Sequence, residues 1–241
     1  MKSFFAALQF LTIFPIPVGF NIQGDHLKKS IWFFPVVGIF LGTLLVVFDL
    51  FMMKIFPQKV VSILDLILMV FVSGGFHLDG LADSADGLLS SRPKEKILEI
   101  MKDSRSGPMA IAVVLFLLLL KLACISSLSK GGDRYFALFF SPFIGRCSLV
   151  WMFDFLPYAR KEGGLASVFL DEKNLYRSIS LLIGIIFFLS FFVFWGGIIL
   201  FFFFSFLFMF FLKRKIGGFT GDTLGAFCEL QEAIILLIFL I

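Results

Sequence analysis

The sequence predicts an all-α protein, a polytopic integral membrane helical bundle of about seven transmembrane helices plus an N-terminal membrane segment, within a single domain over residues 1–241. Three observations predict it. The chain is 59% hydrophobic and 16% charged, whereas soluble domains run at about 45–50% apolar and about 25% charged. Its mean hydropathy is +1.01. It also contains charge-free runs long enough for the bilayer core, which takes about 20 helical residues to cross. A water-soluble globule, a disordered chain and a secreted disulfide scaffold are all excluded.

Taken in order, residues 1–20 are apolar after Lys2 and carry Pro15 and Pro17. No small-x-small cleavage site follows, so this reads as a retained segment, either a short span or a broken, re-entrant piece. Spans are expected at Ser30 to Phe48, Val60 to Phe76 (interrupted by Asp65), Pro108 to about Leu128 (through Lys121) and Tyr135 to Phe153 (with Arg146). Ser178 to Leu212 is charge-free for 35 residues, about 52 Å as one helix. That is too long for one crossing, and Trp195-Gly196-Gly197 at its middle points to a hairpin of two short spans. A last apolar run, begun at Thr223, covers Ala226 to Ile241.

The net charge of +4 reflects the Lys and Arg excess of cytoplasmic loops rather than an affinity for nucleic acid. Loops 21–29, 79–106, 156–177 and 213–222 hold 14 of the 21 basic residues, and loops 49–59 and 130–134 hold four. The basic loops are therefore expected in the cytoplasm. The cysteines, Cys124, Cys147 and Cys228, lie in apolar stretches without a CxxC pair or a Cys/His cluster. Neither a disulfide framework nor a zinc site is supported. The sequence leaves the oligomeric state open, a homo-oligomer included.

The informative stretch is Gly74 to Gly87, where Asp79, Asp83 and Asp86 fall at i, i+4 and i+7. On a helix these carboxylates lie within about 60° of one another. Three like charges on one face destabilise a bare helix, and a divalent cation relieves that cost. Oxygen-only ligands point to Mg²⁺ or Mn²⁺. Gly75, Gly80 and Gly87 around the acids lower helix stability and leave room for a bulky phosphate. The plain alternative, acids favouring the helix dipole, accounts for Asp79 but not for a third carboxylate on the stripe.

A second polar stripe joins Gly218, Asp222, Gly225, Glu229 and Glu232 at offsets 0, 4, 7, 11 and 14. Asp222 is a candidate to complete the metal site or bind substrate, with Glu229 a weaker one. Lys102, Arg105 and Arg146 are candidate phosphate clamps. Arg146 sits inside a span, where an arginine must face the bundle interior or a polar cavity. His77, two residues before the first acid, is a candidate base or substrate ligand, with a structural hydrogen bond as the alternative; His26 lies in a loop. Lys213-Arg214-Lys215 reads as a membrane anchor and Asp65 as a structural residue.

With these residues in place, the chain resembles the cobalamin synthase family, the adenosylcobinamide-GDP ribazoletransferases. The matching segments are Gln9 to Pro17, Phe34-Pro35-Val36-Val37-Gly38, Gly75 to Gly87, Met101 to Gly107, Gly145-Arg146 and Gly221 to Ala226, in the family's order. The block His77-Leu78-Asp79-Gly80-Leu81-Ala82-Asp83-Ser84-Ala85-Asp86-Gly87 is the specific one. Phe76, where Leu is expected, and Pro108 after Ser106-Gly107 depart from the pattern without touching a candidate ligand.

The resemblance implies a single transmembrane catalytic domain that performs a Mg²⁺-dependent transfer at the cytoplasmic face of the bacterial inner membrane, amid membrane lipids. Adenosylcobinamide-GDP reacts with α-ribazole or α-ribazole 5′-phosphate, and GMP leaves. Breaking a diphosphate requires charge neutralisation and alignment of the nucleophile. The expected metal ligands are Asp79 and Asp83, with Asp86 a ligand or the general base, and Asp222 a further ligand. Two other readings stand beside it. The acid spacing is similar to that of CDP-alcohol phosphatidyltransferases, but their Ala-Arg is replaced by Ala82-Asp83. A cation-coupled transporter predicts acids near mid-membrane in several spans, whereas these gather beside basic loops.

Overall fold

A computed structural model describes residues 1–15, 24–103, 105–160, 163–172, 174, 178–179, 181–182 and 195–241. The amphipathic start of the chain forms α1 (Lys2–Leu11), about 15 Å long and too short to cross a bilayer. Beyond it the backbone is extended, and the Ile13 N–H donates to the Val72 carbonyl at 2.9 Å. Residues 1–15 are thus a short helix with an extended tail, and the rest of the segment, Pro17 included, lies outside the described residues.

A short helix α2 (Asp25–Lys28) and a 3-10 turn at Lys29–Phe33 lead into α3 (Phe34–Met52). Pro35 stands in its first turn, where the missing N–H costs nothing. Gly38 and Gly42 put a flat stripe against α8 (Gly132–Phe155). A Cβ on Gly38 would stand 2.8 Å from Phe143 Cα, and one on Gly42 would strike the Phe139 carbonyl. Small residues four apart are how membrane helices approach closely. α8 is the axis of the bundle and is buried along most of its length.

The run expected to span Val60 to Phe76 instead breaks. α4 (Gln58–Val72) and α5 (Phe76–Leu88) meet at 86°. Gly74 and Gly75 make the corner at φ 61° and 71°, a region that residues with a Cβ seldom occupy. The acidic stretch is a helix, as the spacing of its carboxylates predicts, and it packs into the bundle at the start of the 79–106 stretch expected between spans. After the surface helix α6 (Lys94–Ile100) come α7 (Pro108–Ser127), α8, α9 (Trp195–Ile216) and α10 (Gly221–Ile238). Gly196 and Gly197 lie in the first turn of α9, which begins at Trp195; residues 183–194 lie outside the described residues, and the expected hairpin falls partly on them.

Large apolar side chains face outward on α7 (Ile111, Leu115, Phe116, Leu119) and α9 (Ile199, Phe203, Phe206, Phe210). Such a surface suits lipid rather than water, and the chain is an integral membrane protein. Among the described residues four helices are long and apolar enough to cross a membrane, or five if α4 with α5 counts as one broken span. The seven expected are not confirmed among the described residues, and α10, with Asp222, Glu229 and Glu232, is not among the four.

Two buried ionic knots tie the helices. Arg134 on α8 donates to Asp49 on α3 (2.6 and 2.8 Å), Asp65 on α4 (2.8 Å) and the Ile125 carbonyl of α7 (2.6 Å). All three charged side chains are fully buried, so Asp65 is structural as expected. Lys121 on α7 bonds Glu229 at 2.6 Å and Glu232 at 2.5 Å on α10, and Arg146 on α8 pairs with Glu232. At the other end the basic loops converge. Lys28 meets Asp171 at 2.6 Å, Arg160 meets Asp222 at 2.6 Å, and Ala159 N–H donates to the Phe219 carbonyl at 2.8 Å.

Candidate active site

The site lies where α5 and α10 cross at that basic end. Their backbones nearly touch: a Cβ on Gly80 would stand 2.7 Å from the Asp222 carbonyl oxygen, and one on Gly225 would stand 3.0 Å from that of His77. Two glycines thus bring the start of α10 beside the acidic face of α5. A reciprocal cap fixes that start, with Thr223 N–H donating to Thr220 Oγ1 at 3.3 Å and Thr220 N–H to Thr223 Oγ1 at 2.8 Å.

The carboxylates of this region are not alike. Asp79 is exposed and Asp83 half-buried, and neither side chain has a hydrogen bond or ion pair among the described residues. Asp222 Oδ2 accepts from Arg160 Nη2 at 2.6 Å and from Thr220 Oγ1 at 3.2 Å. Asp86 is engaged differently. Its Oδ2 accepts from Gly107 N–H at 2.5 Å and its Oδ1 from Ala110 N–H at 2.9 Å. Those are free donors of the first turn of α7, so Asp86 caps a neighbouring helix. Gly107 makes room for it, since a Cβ there would lie 2.7 Å from the carboxylate.

Asp79 borders an open groove of about 760 Å³ between α5 and α7, shared with Gly75, Ala82, Ser106 and Ala110. The volume is in the range of pockets that hold drug-sized ligands. Among the described residues no three His, Cys, Asp or Glu side chains are grouped closely enough to hold a metal ion between them. A cation there must take part of its coordination from substrate or water.

The remaining candidates fall elsewhere. Lys102 is exposed at the end of α6. Arg105 is held by its own loop, its guanidinium 2.7 Å from Asp103. That hydrogen bond holds the Asp103 carboxyl down at about 2. Arg146 and Glu229 belong to the buried Lys121 knot. His77 is buried beneath the site at 1% exposure, and both ring nitrogens lack a partner. The hydrogen bond offered as its structural alternative is absent among the described residues.

Sequence reasoning missed Arg160, because its partner Asp222 is 62 residues away and no spacing rule links them. It also passed over Lys121, although a lone lysine inside an apolar run demands a buried partner.

A family described as cobalamin-5-phosphate synthase matches residues 3–240. A protein of Clostridium acetobutylicum named adenosylcobinamide-GDP ribazoletransferase is 35% identical over 95% of this chain and 92% of its own length. Proteins of the same name from Clostridium novyi (35% identical, 98% of this chain, 96% of theirs) and Pseudomonas syringae pv. syringae (36%, 98% of each) are equally similar. No solved structure matches. The acidic block on α5, the capped start of α10 and the basic loops around them all fall within the matched residues, and the chain belongs to the cobalamin-5-phosphate synthase family.

Proposed function

We propose that this chain is an adenosylcobinamide-GDP ribazoletransferase. It joins adenosylcobinamide-GDP to α-ribazole or α-ribazole 5′-phosphate, releasing GMP, at the cytoplasmic face of the bacterial inner membrane. The observation that carries this reading is the pair Asp79 and Asp83. They are two carboxylates on one helical face, without protein partners among the described residues, and Asp79 borders an open groove. The curated relatives are named for this reaction, and the clustering of basic loops at the same end supports the cytoplasmic orientation.

The donor set fits Mg²⁺. This cation binds through one or two carboxylates and completes its shell with waters and substrate phosphates. Asp79 and Asp83 would hold it, with Asp222 flanking. When bound, it would neutralise charge on the diphosphate being cleaved.

The chain's own part is positioning. A ribose hydroxyl of the ribazole attacks the phosphorus on the cobinamide side, the P–O bond to GMP breaks, and the hydroxyl proton passes to a carboxylate of this group. Arg160, steered by Asp222, is a cation within reach of phosphate oxygens. Asp86 keeps α7, and with it the far wall of the groove, in place. Neither Arg146 nor Glu229 needs to touch substrate; both hold α10 at its height.

The test is direct. Purified protein in liposomes with Mg²⁺, adenosylcobinamide-GDP and α-ribazole should yield GMP and a complete corrinoid. Release of CMP from a CDP-alcohol instead would favour the phosphatidyltransferase reading.

A further inference from the structure

The transferase reading leaves His77 without a task. Its imidazole is 1% exposed, yet Nδ1 and Nε2 have no hydrogen-bond partner among the described residues. Burying such a group unpaired is unfavourable unless something else supplies the bond. His77 lines a cavity of about 30 Å³ walled by the rings of Phe10, Phe34, Phe76, Phe153 and Phe169. The rings already favour inserted aromatics: Phe10 and Phe34 are stacked at 5.8 Å, and Phe169 meets both edge-on at 5.3 and 5.6 Å. Leu165 and Ala166 roof the cavity, and Gly221 at its edge adjoins Asp222. Arg160, bonded to Asp222 next to Gly221, has a buried Nε without a partner among the described residues, as does Tyr158 Oη.

We propose that this cavity is the subsite for the base of the ribazole, an assignment that rests on the transferase reading. The dimethylbenzimidazole is flat and apolar and has one free ring nitrogen that accepts a hydrogen bond. It slides among the phenylalanine rings, and a ring N–H of neutral His77 donates to that nitrogen. The ribose and its 5′-phosphate then emerge at Arg160 and Tyr158, beside Asp222 and the acidic face of α5. The chemistry also sets specificity. A guanine base would leave several polar edge atoms unpaired against five phenylalanines, which an apolar pocket rejects. As it stands the cavity admits no more than a water or two, so the base enters by displacing the Leu165–Ala166 turn, of which Leu165 is already 68% exposed.

The experiment uses full-length protein in liposomes and steady-state kinetics with each substrate varied in turn. His77→Phe, which removes the donor at similar shape, should raise the KM for α-ribazole by about ten-fold or more. The KM for adenosylcobinamide-GDP should stay within about two-fold, and Ala166→Met, which fills the cavity, should act in the same direction. An unchanged ribazole KM in both variants overturns the subsite. A second measurement avoids folding artefacts. In His26→Gln protein labelled at histidine with ¹⁵N, His77 is the remaining histidine, and α-ribazole alone should shift its ring resonances. No shift at saturating ribazole overturns the proposal. If the unaltered protein makes no corrinoid product at all, the transferase reading falls separately, and this titration decides the pocket by itself.

Discussion

Six acids crowd the crossing of α5 and α10 and the knot below it, and their partners divide the labour among them, Asp222 being held by Arg160. Glu229 and Glu232 neutralise Lys121 and Arg146 inside the bundle, and Asp86 satisfies two backbone donors of α7. Asp79 and Asp83 have no such occupation among the described residues, which is why the reaction is assigned to them. Asp79→Asn and Asp83→Asn should each lower kcat at least about a hundred-fold, since charge neutralisation by a bound cation contributes several kcal/mol. Their amounts in the membrane and their thermal unfolding should match the parent protein. The three-acid stripe was legible from spacing alone, because i, i+4 and i+7 share a face. That the third acid serves a different helix was not legible, because it depends on where α7 begins in space.

At the scale of elements, the corner at Gly74-Gly75 turns a would-be span into a short α4 and a crossing α5. The apolar run continues from Val60 to Phe76 with Asp65 its one charge, and only the paired glycines hint at a corner. The contact between α5 and α10 depends on Gly80 and Gly225. Gly80→Ala would place a Cβ 2.7 Å from the Asp222 carbonyl oxygen, costing about 1–3 kcal/mol and prising Asp222 from α5. Turnover should fall more than protein yield does, measured per amount of folded protein in the membrane. Asp86→Ala should destabilise by about 1–2 kcal/mol, as loss of a helix cap does. Limited proteolysis should then cut sooner around residues 103–108, while the KM for either substrate changes little.

Among the described residues, most charge lies in two buried knots and at the end where the basic loops gather, while exposed apolar side chains cover the outer faces of α7 and α9. Composition and charge placement made the membrane class and the grouping of the basic loops legible. The span count was not, because α10 has the length of a crossing helix but is partly polar, and because the paired charges inside the bundle are invisible to hydropathy. The Arg134 knot joins α3, α4, α7 and α8, so Arg134→Met should cost about 3–5 kcal/mol by stranding two buried carboxylates. Adding Asp49→Asn and Asp65→Asn should recover much of that loss in a thermal-unfolding assay.

The central claim is that the acidic face of α5 carries a ribazole transfer that releases GMP. The most direct measurement follows GMP from adenosylcobinamide-GDP and α-ribazole 5′-phosphate in proteoliposomes, with and without Mg²⁺. The account predicts one GMP per corrinoid completed, with no turnover after chelation and almost none in Asp79→Asn or Asp83→Asn. Full activity in both variants, or GMP release that needs no ribazole, would contradict it.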